Sequence, residues 1–368
     1  MDKLDSKDPP GRITVAGEGY SREELAHLTR MRAVVFGDDR KIRLEEVPVP
    51  EVGPRDVLLR PHFCGICGTD LHAPMIASFR SRVVMGHEFS GEVVATGEQV
   101  HGWEPGARVV VNPNGNLCGA CGACREGRLN LCRSAVFENG IGIQHPGGMA
   151  ELVTVDPKVL HRLPDSVSSE QGALVEPLAA AVRVVRRSRF RLGSSAAVIG
   201  TGPMGLLVIQ VLRRAGASTI TAIELAGFRR QAALDLGADL ALDPETEPPT
   251  DLFGTELEPP EFVFECSGGQ GSLELAVDIV RYGGRVALMG LASRPVEVTS
   301  TNVIGKEVDV VGSIIYVEEF PLAIDLLAKG AFDIESLISV VLPITRFDEA
   351  FESLANPVST LKILLHPG

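Results

Sequence analysis

The sequence predicts an α/β protein in two parts, a β-rich, mostly antiparallel domain followed by a doubly wound parallel sheet. Three observations carry this reading. Between residues 31 and 111 short apolar runs recur, broken by Gly and Pro, as in a compact antiparallel domain. Beyond residue 170 strand-like runs alternate with helix-length Ala- and Leu-rich segments, the pattern of a parallel sheet with helices on its faces. Six of the seven cysteines fall between residues 64 and 132, in loops of the first part. With 368 residues, 45% of them hydrophobic and 23% charged, the chain is long enough for two domains with buried cores.

Residues 1–30 read as an extension. They are polar through Gly11, and Ser21-Arg22-Glu23-Glu24 forms a capping box for a short helix ending near Arg30. Strands follow at 32–36, at 41–47 with period-two alternation, and at 57–60, 91–95 and 108–111. A helix spans 170–187. The buried strand 195–199 runs into a glycine turn, and a helix over 203–215 has Pro203 in its first turn. Strands at 219–224, 262–266, 285–289 and 308–311 alternate with helices at 228–236 and 273–281. The acidic, Pro-rich stretch 245–260 is a surface loop. Helices near 320–329 and 347–354 and a strand at 361–365 close the chain. The expected domains are therefore 31–178, 179–315, and a return of 316–368 to the first.

Cys118, Cys121, Cys124 and Cys132 read Cys-x2-Cys-x2-Cys-x7-Cys. Four thiolates on a tight loop make a closed tetrahedral cage for a structural zinc. Upstream, Cys67, Thr69, Asp70 and His72 precede Gly86-His87-Glu88. A thiolate, an imidazole and a carboxylate from separate turns can hold a second, catalytic zinc with one position open. Glu176 sits in Leu174-Val175-Glu176-Pro177-Leu178. A carboxylate in so apolar a setting needs a partner, and a zinc is one. Glu88 is either a ligand or a group beside the ligand His87.

Gly200, Gly202 and Gly205, with Pro203 and Met204 between the last two, follow a strand and open a helix. This is the context a dinucleotide-binding turn requires. Gly200 allows the turn, Gly202 the approach of a pyrophosphate, and Gly205 close helix–strand packing. Glu224 ends the next strand, nineteen residues beyond Gly205. A carboxylate there accepts from a ribose diol and repels a 2′-phosphate, which favours NAD(H) over NADP(H). Arg229 and Arg230 lie a turn later, either on a solvated helix face or against the cofactor.

The formal net charge of −13 argues against nucleic acid and anionic membranes as partners. No apolar run reaches 18 residues, so no membrane span is expected. The polar N-terminus lacks the apolar core of a signal peptide. Cysteines at metal spacing then suit a reducing cytoplasm.

These motifs (GICGTDLH, GHEFSGEVV, the four-cysteine lobe, VEPLA, VIGTGPMG and GKEVDVVGS) resemble those of the zinc-dependent medium-chain dehydrogenase/reductase family, near its polyol and sorbitol dehydrogenase-like branch. The resemblance covers about residues 31–367. It implies a GroES-like catalytic domain interrupted by a Rossmann domain. It implies that Cys67, His87 and Glu88 or Glu176 surround the catalytic zinc, and that a proton passes from Thr69 through a ribose hydroxyl to His72. The implied activity interconverts a secondary alcohol and a ketone with NAD(H), in a homodimer or homotetramer. An amino-alcohol dehydrogenase and a non-catalytic zinc-stabilised NAD(H) sensor are the alternatives. Arg183 stands where relatives often carry His, and the stretch 73–82 is shorter than usual. Phe79, Arg80, Arg82, Phe137 and His145 are the residues expected to shape a substrate pocket.

Overall fold

A computed structural model describes residues 28–76, 79–292, 294–356 and 358–367. The expected helix at 21–30 lies almost wholly outside them, and so does the side chain of Phe137. The described chain forms two compact units.

The first unit runs to Ala173 and regains Val340–Asn356 and the residues from Ile363 onward. In it β1 (Arg30–Phe36) pairs antiparallel with β2 (Ile42–Pro48) and β4 (Val83–Val84). The larger sheet contains β3 (Val57–Gly65), β5 (Glu88–Thr96), β6 (Arg108–Val111), β7 (Val153–Val155), β8 (Leu160–Arg162), β15 (Ile338–Pro343) and β16 (Lys362–His366). Its order is β15-β16-β3-β5-β6-β8, with β7 also on β3. Successive side chains of a strand point to opposite faces, and β1 uses both. Val34 and Phe36 join the main core with Leu59, Phe89, Val109 and Ile363. Ala33 and Val35 face the other way and pack with Leu58, Val94 and Leu152.

The second unit begins at Leu174. Six parallel strands form one sheet: β9 (Ser195–Ile199), β10 (Thr219–Ile223), β11 (Leu240–Leu242), β12 (Phe262–Glu265), β13 (Arg285–Leu288) and β14 (Asp309–Gly312). Their order, β11-β10-β9-β12-β13-β14, reverses between β9 and β12. That reversal is the switch point at which doubly wound sheets bind dinucleotides. Ala196, Ala197, Val198 and Ile199 are all buried, as expected of a strand covered on both faces.

The structure differs from expectation in several places. The helix expected over 170–187 is two, Ser169–Ala173 and Val175–Arg187, because Leu174 leaves helical geometry at φ −97°, ψ 2°. The units divide there rather than at 178. Residues 316–339 stay with the second unit, because the helix Glu319–Ala328 seats Phe320 and Glu319 in its interior and Glu319 receives Arg183 and Arg186. The loop 245–260 contains a one-turn helix, Pro249–Leu252. The strands β4, β7, β8 and β11 are two or three residues long, too short for a periodic signal. No helix among the described residues is long and apolar enough to cross a membrane.

Candidate metal centres and nucleotide site

Antiparallel pairing of β3 with β5 sets Gly65 opposite Glu88. This brings Cys67, just beyond β3, to His87 and Glu88 at the start of β5. The ligand atoms of Cys67, His87 and Glu88 all lie within 4.8 Å of one another. His87 and Glu88 are buried and Cys67 is partly so. Cys67 caps the short helix Gly68–Leu71, and Asp70 Oδ2 accepts from the Cys67 backbone N–H at 2.9 Å. The other Asp70 oxygen is 3.6 Å from His87 Nδ1. Burial opposes charge on His87, but Asp70 and Cys67 outweigh it and hold the ring well above the usual histidine range. The surroundings of this imidazole therefore favour positive charge, the demand that a divalent cation meets. Thr69 Oγ1 accepts from Cys67 Sγ at 3.5 Å, and His72 is exposed at the end of the helix.

The four lobe cysteines also lie within 4.8 Å of one another, and all are free thiols. The Cys118–Cys124 and Cys118–Cys132 sulfur separations are 3.9 and 3.6 Å. With Zn–S near 2.3 Å, the edge of a tetrahedron of sulfurs is about 3.8 Å. Backbone N–H groups of Ala120 and Cys121 lower the Cys118 thiol to about 6. Desolvation and the thiols of Cys132 and Cys121 push Cys124 up to about 12. Backbone donors also lower Cys132, so the thiols do not ionise together, and a cation is needed to hold four thiolates.

At the switch point, Gly200 has φ +85°. A Cβ on Gly205 would come within 2.0 Å of Gly200 O, whereas one on Gly202 would meet nothing within 4 Å. The close approach is at Gly205 and the open side is at Gly202, which caps the helix Pro203–Arg214. Pro203 and Met204 form its first turn, where free N–H groups and the helix dipole suit a phosphate. Glu224 is buried; its oxygens accept from Thr201 N at 2.8 Å and Ala226 N at 3.0 Å. Thr201 Oγ1 also reaches Oε2 at 3.5 Å, and Oε1, with one donor, retains acceptor capacity.

Two family models match the chain, the alcohol dehydrogenase GroES-like domain at residues 53–165 and the zinc-binding dehydrogenase at 203–329. The (R,R)-butanediol dehydrogenase of Bacillus subtilis is 35% identical over 92% of this chain and all of its own length. Human sorbitol dehydrogenase is 34% identical over 88% of this chain and 92% of its own. A Sinorhizobium meliloti chain described as a zinc-binding dehydrogenase and solved with NADP superposes with a TM-score of 0.85 at 33% identity, covering 92% of this chain and 99% of its own. The chain belongs to the zinc-binding alcohol dehydrogenase family. It is an alcohol dehydrogenase that uses zinc and a nicotinamide cofactor, built from a GroES-like and a Rossmann unit.

Several family positions need comment. Glu176 lies buried in the first turn of Val175–Arg187, in the second unit. Arg183, at the position where relatives often carry His, reaches Glu319 at 3.4 Å. Of the residues expected in a substrate pocket, Phe79 is core, stacked edge-on against Phe36. Arg82 is exposed beside Asp38 at 3.7 Å. His145 meets Asn139, and desolvation and Arg80 lower its pKa. Arg230 ties its own turn, donating to Glu224 O and pairing with Asp243 at 2.9 Å. Arg229 lies over the ring of Phe228. Asp70 had no assigned role in the sequence; its place inside GICGTDLH, among the metal residues, was the available signal.

Proposed function

We propose that this dehydrogenase interconverts a secondary alcohol of the diol or polyol class and its ketone, with NAD(H). The observation that carries the reading is the Cys67, His87 and Glu88 donor set with Thr69 beside it. Held by these residues, zinc would supply Lewis acidity to ease loss of the hydroxyl proton, and a bound nicotinamide would accept the hydride. Thr69 accepts the proton from the substrate hydroxyl, since a hydroxyl both accepts and donates. His72, exposed at the end of the helix Gly68–Leu71, delivers it to solvent. Asp70 orients His87 through the ring nitrogen that faces it. Glu176 is an exchangeable carboxylate on the strength of its motif alone; Glu176→Ala should remove activity and spare NADH binding.

Gly200, Gly202 and Gly205 seat the pyrophosphate. Glu224 sets the preference for NAD(H), because its carboxylate opposes a 2′-phosphate. Cys118, Cys121, Cys124 and Cys132 hold a second, structural zinc. The free, metal-spaced thiols suit a reducing cytoplasm. The outer strand β14, with Val310 41% exposed, is the edge at which copies pair into a homo-oligomer. The names of the butanediol and sorbitol relatives support the substrate class.

The test is the absorbance of reduced nicotinamide with a panel of diols, polyols, amino alcohols and simple alcohols. Turnover of diols or polyols with NAD+ is expected. Activity confined to amino alcohols would move the substrate class. Silence across the panel in protein that holds two zinc ions and binds NADH would make it a sensor.

A further inference from the structure

Glu265, the last residue of β12, is 3% exposed. Its Oε1 accepts from Ser267 N at 2.8 Å, Gly268 N at 2.9 Å and Ser267 Oγ at 2.5 Å. Its backbone carbonyl accepts from Met289 N and Gly290 N, each at 3.0 Å. Oε2 lies against Gly290, where a Cβ would come within 2.4 Å of it and 2.3 Å of Gly268 N. The next residue, Cys266, donates its N–H to Ile199 O at 2.9 Å. Ser267 approaches the glycine turn so closely that a Cβ on Gly200 would sit 2.6 Å from Ser267 Cβ. One buried residue thus fastens the turns after β12 and β13 and sets them against the turn after β9. A buried carboxylate is costly without donors, and charge-assisted hydrogen bonds are the stronger kind, so this knot has one low-energy arrangement.

Glu224 makes a similar knot on the other side of β9, where it binds Thr201 N and Ala226 N. Glu224 follows β10 directly and Glu265 ends β12, the strands that flank β9 at the switch point. A doubly wound sheet binds a dinucleotide as two halves across this point, with the acidic residue of the first half on the adenine-side ribose. Glu265 therefore belongs to the other half.

We propose that Glu265 is a positioning residue for the nicotinamide half of the cofactor. Its carboxylate holds the turns at 267–269 and 289–290 in the shape against which that half rests. This builds on the NAD(H) dehydrogenase reading above.

The experiment compares wild type with Glu265→Gln and Glu265→Ala as full-length, zinc-loaded protein. Dissociation constants for NADH and ADP-ribose are measured alongside KM for NAD+, zinc content and melting temperature. Glu265→Gln, nearly isosteric, keeps an accepting oxygen but removes the charge, and should weaken NADH and raise KM for NAD+ about tenfold, the scale of turning charge-assisted hydrogen bonds into neutral ones. ADP-ribose affinity and zinc content should stay at wild-type values. Glu265→Ala should show the same split, larger. Equal weakening of ADP-ribose and NADH would mean general disruption of the sheet and overturn the assignment. A lower melting temperature with unchanged NADH binding would leave Glu265 a purely structural residue. A wild type that binds NADH, with variants indistinguishable from it, defeats this proposal alone; a wild type that binds no NADH defeats the dehydrogenase reading as well.

Discussion

At Asp70 a carboxylate with no exposed surface faces a buried histidine and caps the turn that carries Cys67. Such a group fixes the orientation of a metal-binding imidazole and raises its basicity. Asp70→Asn should therefore lower zinc affinity at the Cys67 site by about 10- to 100-fold. A chelator competition that follows the two metals separately reads this, with the four-cysteine lobe unchanged as control. Unaltered affinity would remove Asp70 from the site. Thr69 tests a different link. Thr69→Val should slow turnover while both zinc ions remain, because it deletes a proton acceptor and no donor from the metal set. Much of the residue scale was legible from spacing: the four cysteines, Cys67, His87, Glu88 and the glycine turn are near neighbours in sequence or share a motif. Asp70 was marked only by its place in GICGTDLH, without a role, and Glu265 by nothing. Each acts through backbone N–H groups and packing, and nothing in residue type or spacing records which donors a carboxylate will meet.

The strands β3 and β5 carry the Cys67 site, and a buried ion pair joins them. Arg60 donates to Glu92 at 2.8 Å, and His62 lies 3.6 Å from the same carboxylate. Removing one member of a buried pair leaves the other charged in a poor environment. Glu92→Ala should cost about 3 kcal/mol and lower the denaturant midpoint. A midpoint within error of wild type would show that Arg60 is otherwise compensated. The lobe at 118–132 depends on metal in another way. Its helix, Gly122–Arg125, is one turn long and none of its residues is buried. With that helix unpacked, the lobe relies on ligation for its rigidity. Cys121→Ser should take the zinc content from two to one per chain and raise hydrogen exchange across the lobe, with β9 to β14 unaffected. Elements with a clear period were legible, such as β9 and the helix Pro203–Arg214. The break at Leu174 carried a local signal in Gly172 and Pro177, since proline has no N–H to give the preceding turn and belongs in a first turn, but the apolar, Ala-rich run around them masked it.

At the scale of the molecule, β14 ends the parallel sheet with Val310, Ile314 and Ile304 exposed. An outer strand of this kind offers unpaired backbone groups and an apolar face to a second copy. If copies pair at β14, as proposed above, Val310→Lys should lower the mass measured by sedimentation velocity, and an unchanged mass would remove β14 as a pairing edge. The sequence by itself determined the two fold types and pointed to the four-cysteine lobe, the Cys67, His87 and Glu88 group and the glycine turn as candidate sites. Each of these rests on local period or on spacing along the chain, and both survive in one dimension. Tertiary structure decided where the units divide, which carboxylates are tied to backbone donors, and that residues 316–339 join the second unit. Those outcomes depend on long-range packing, such as Glu319 receiving Arg183 and Arg186 across more than a hundred residues. A buried charge selects its partner by free energy in the folded state, and chain order carries no trace of that choice.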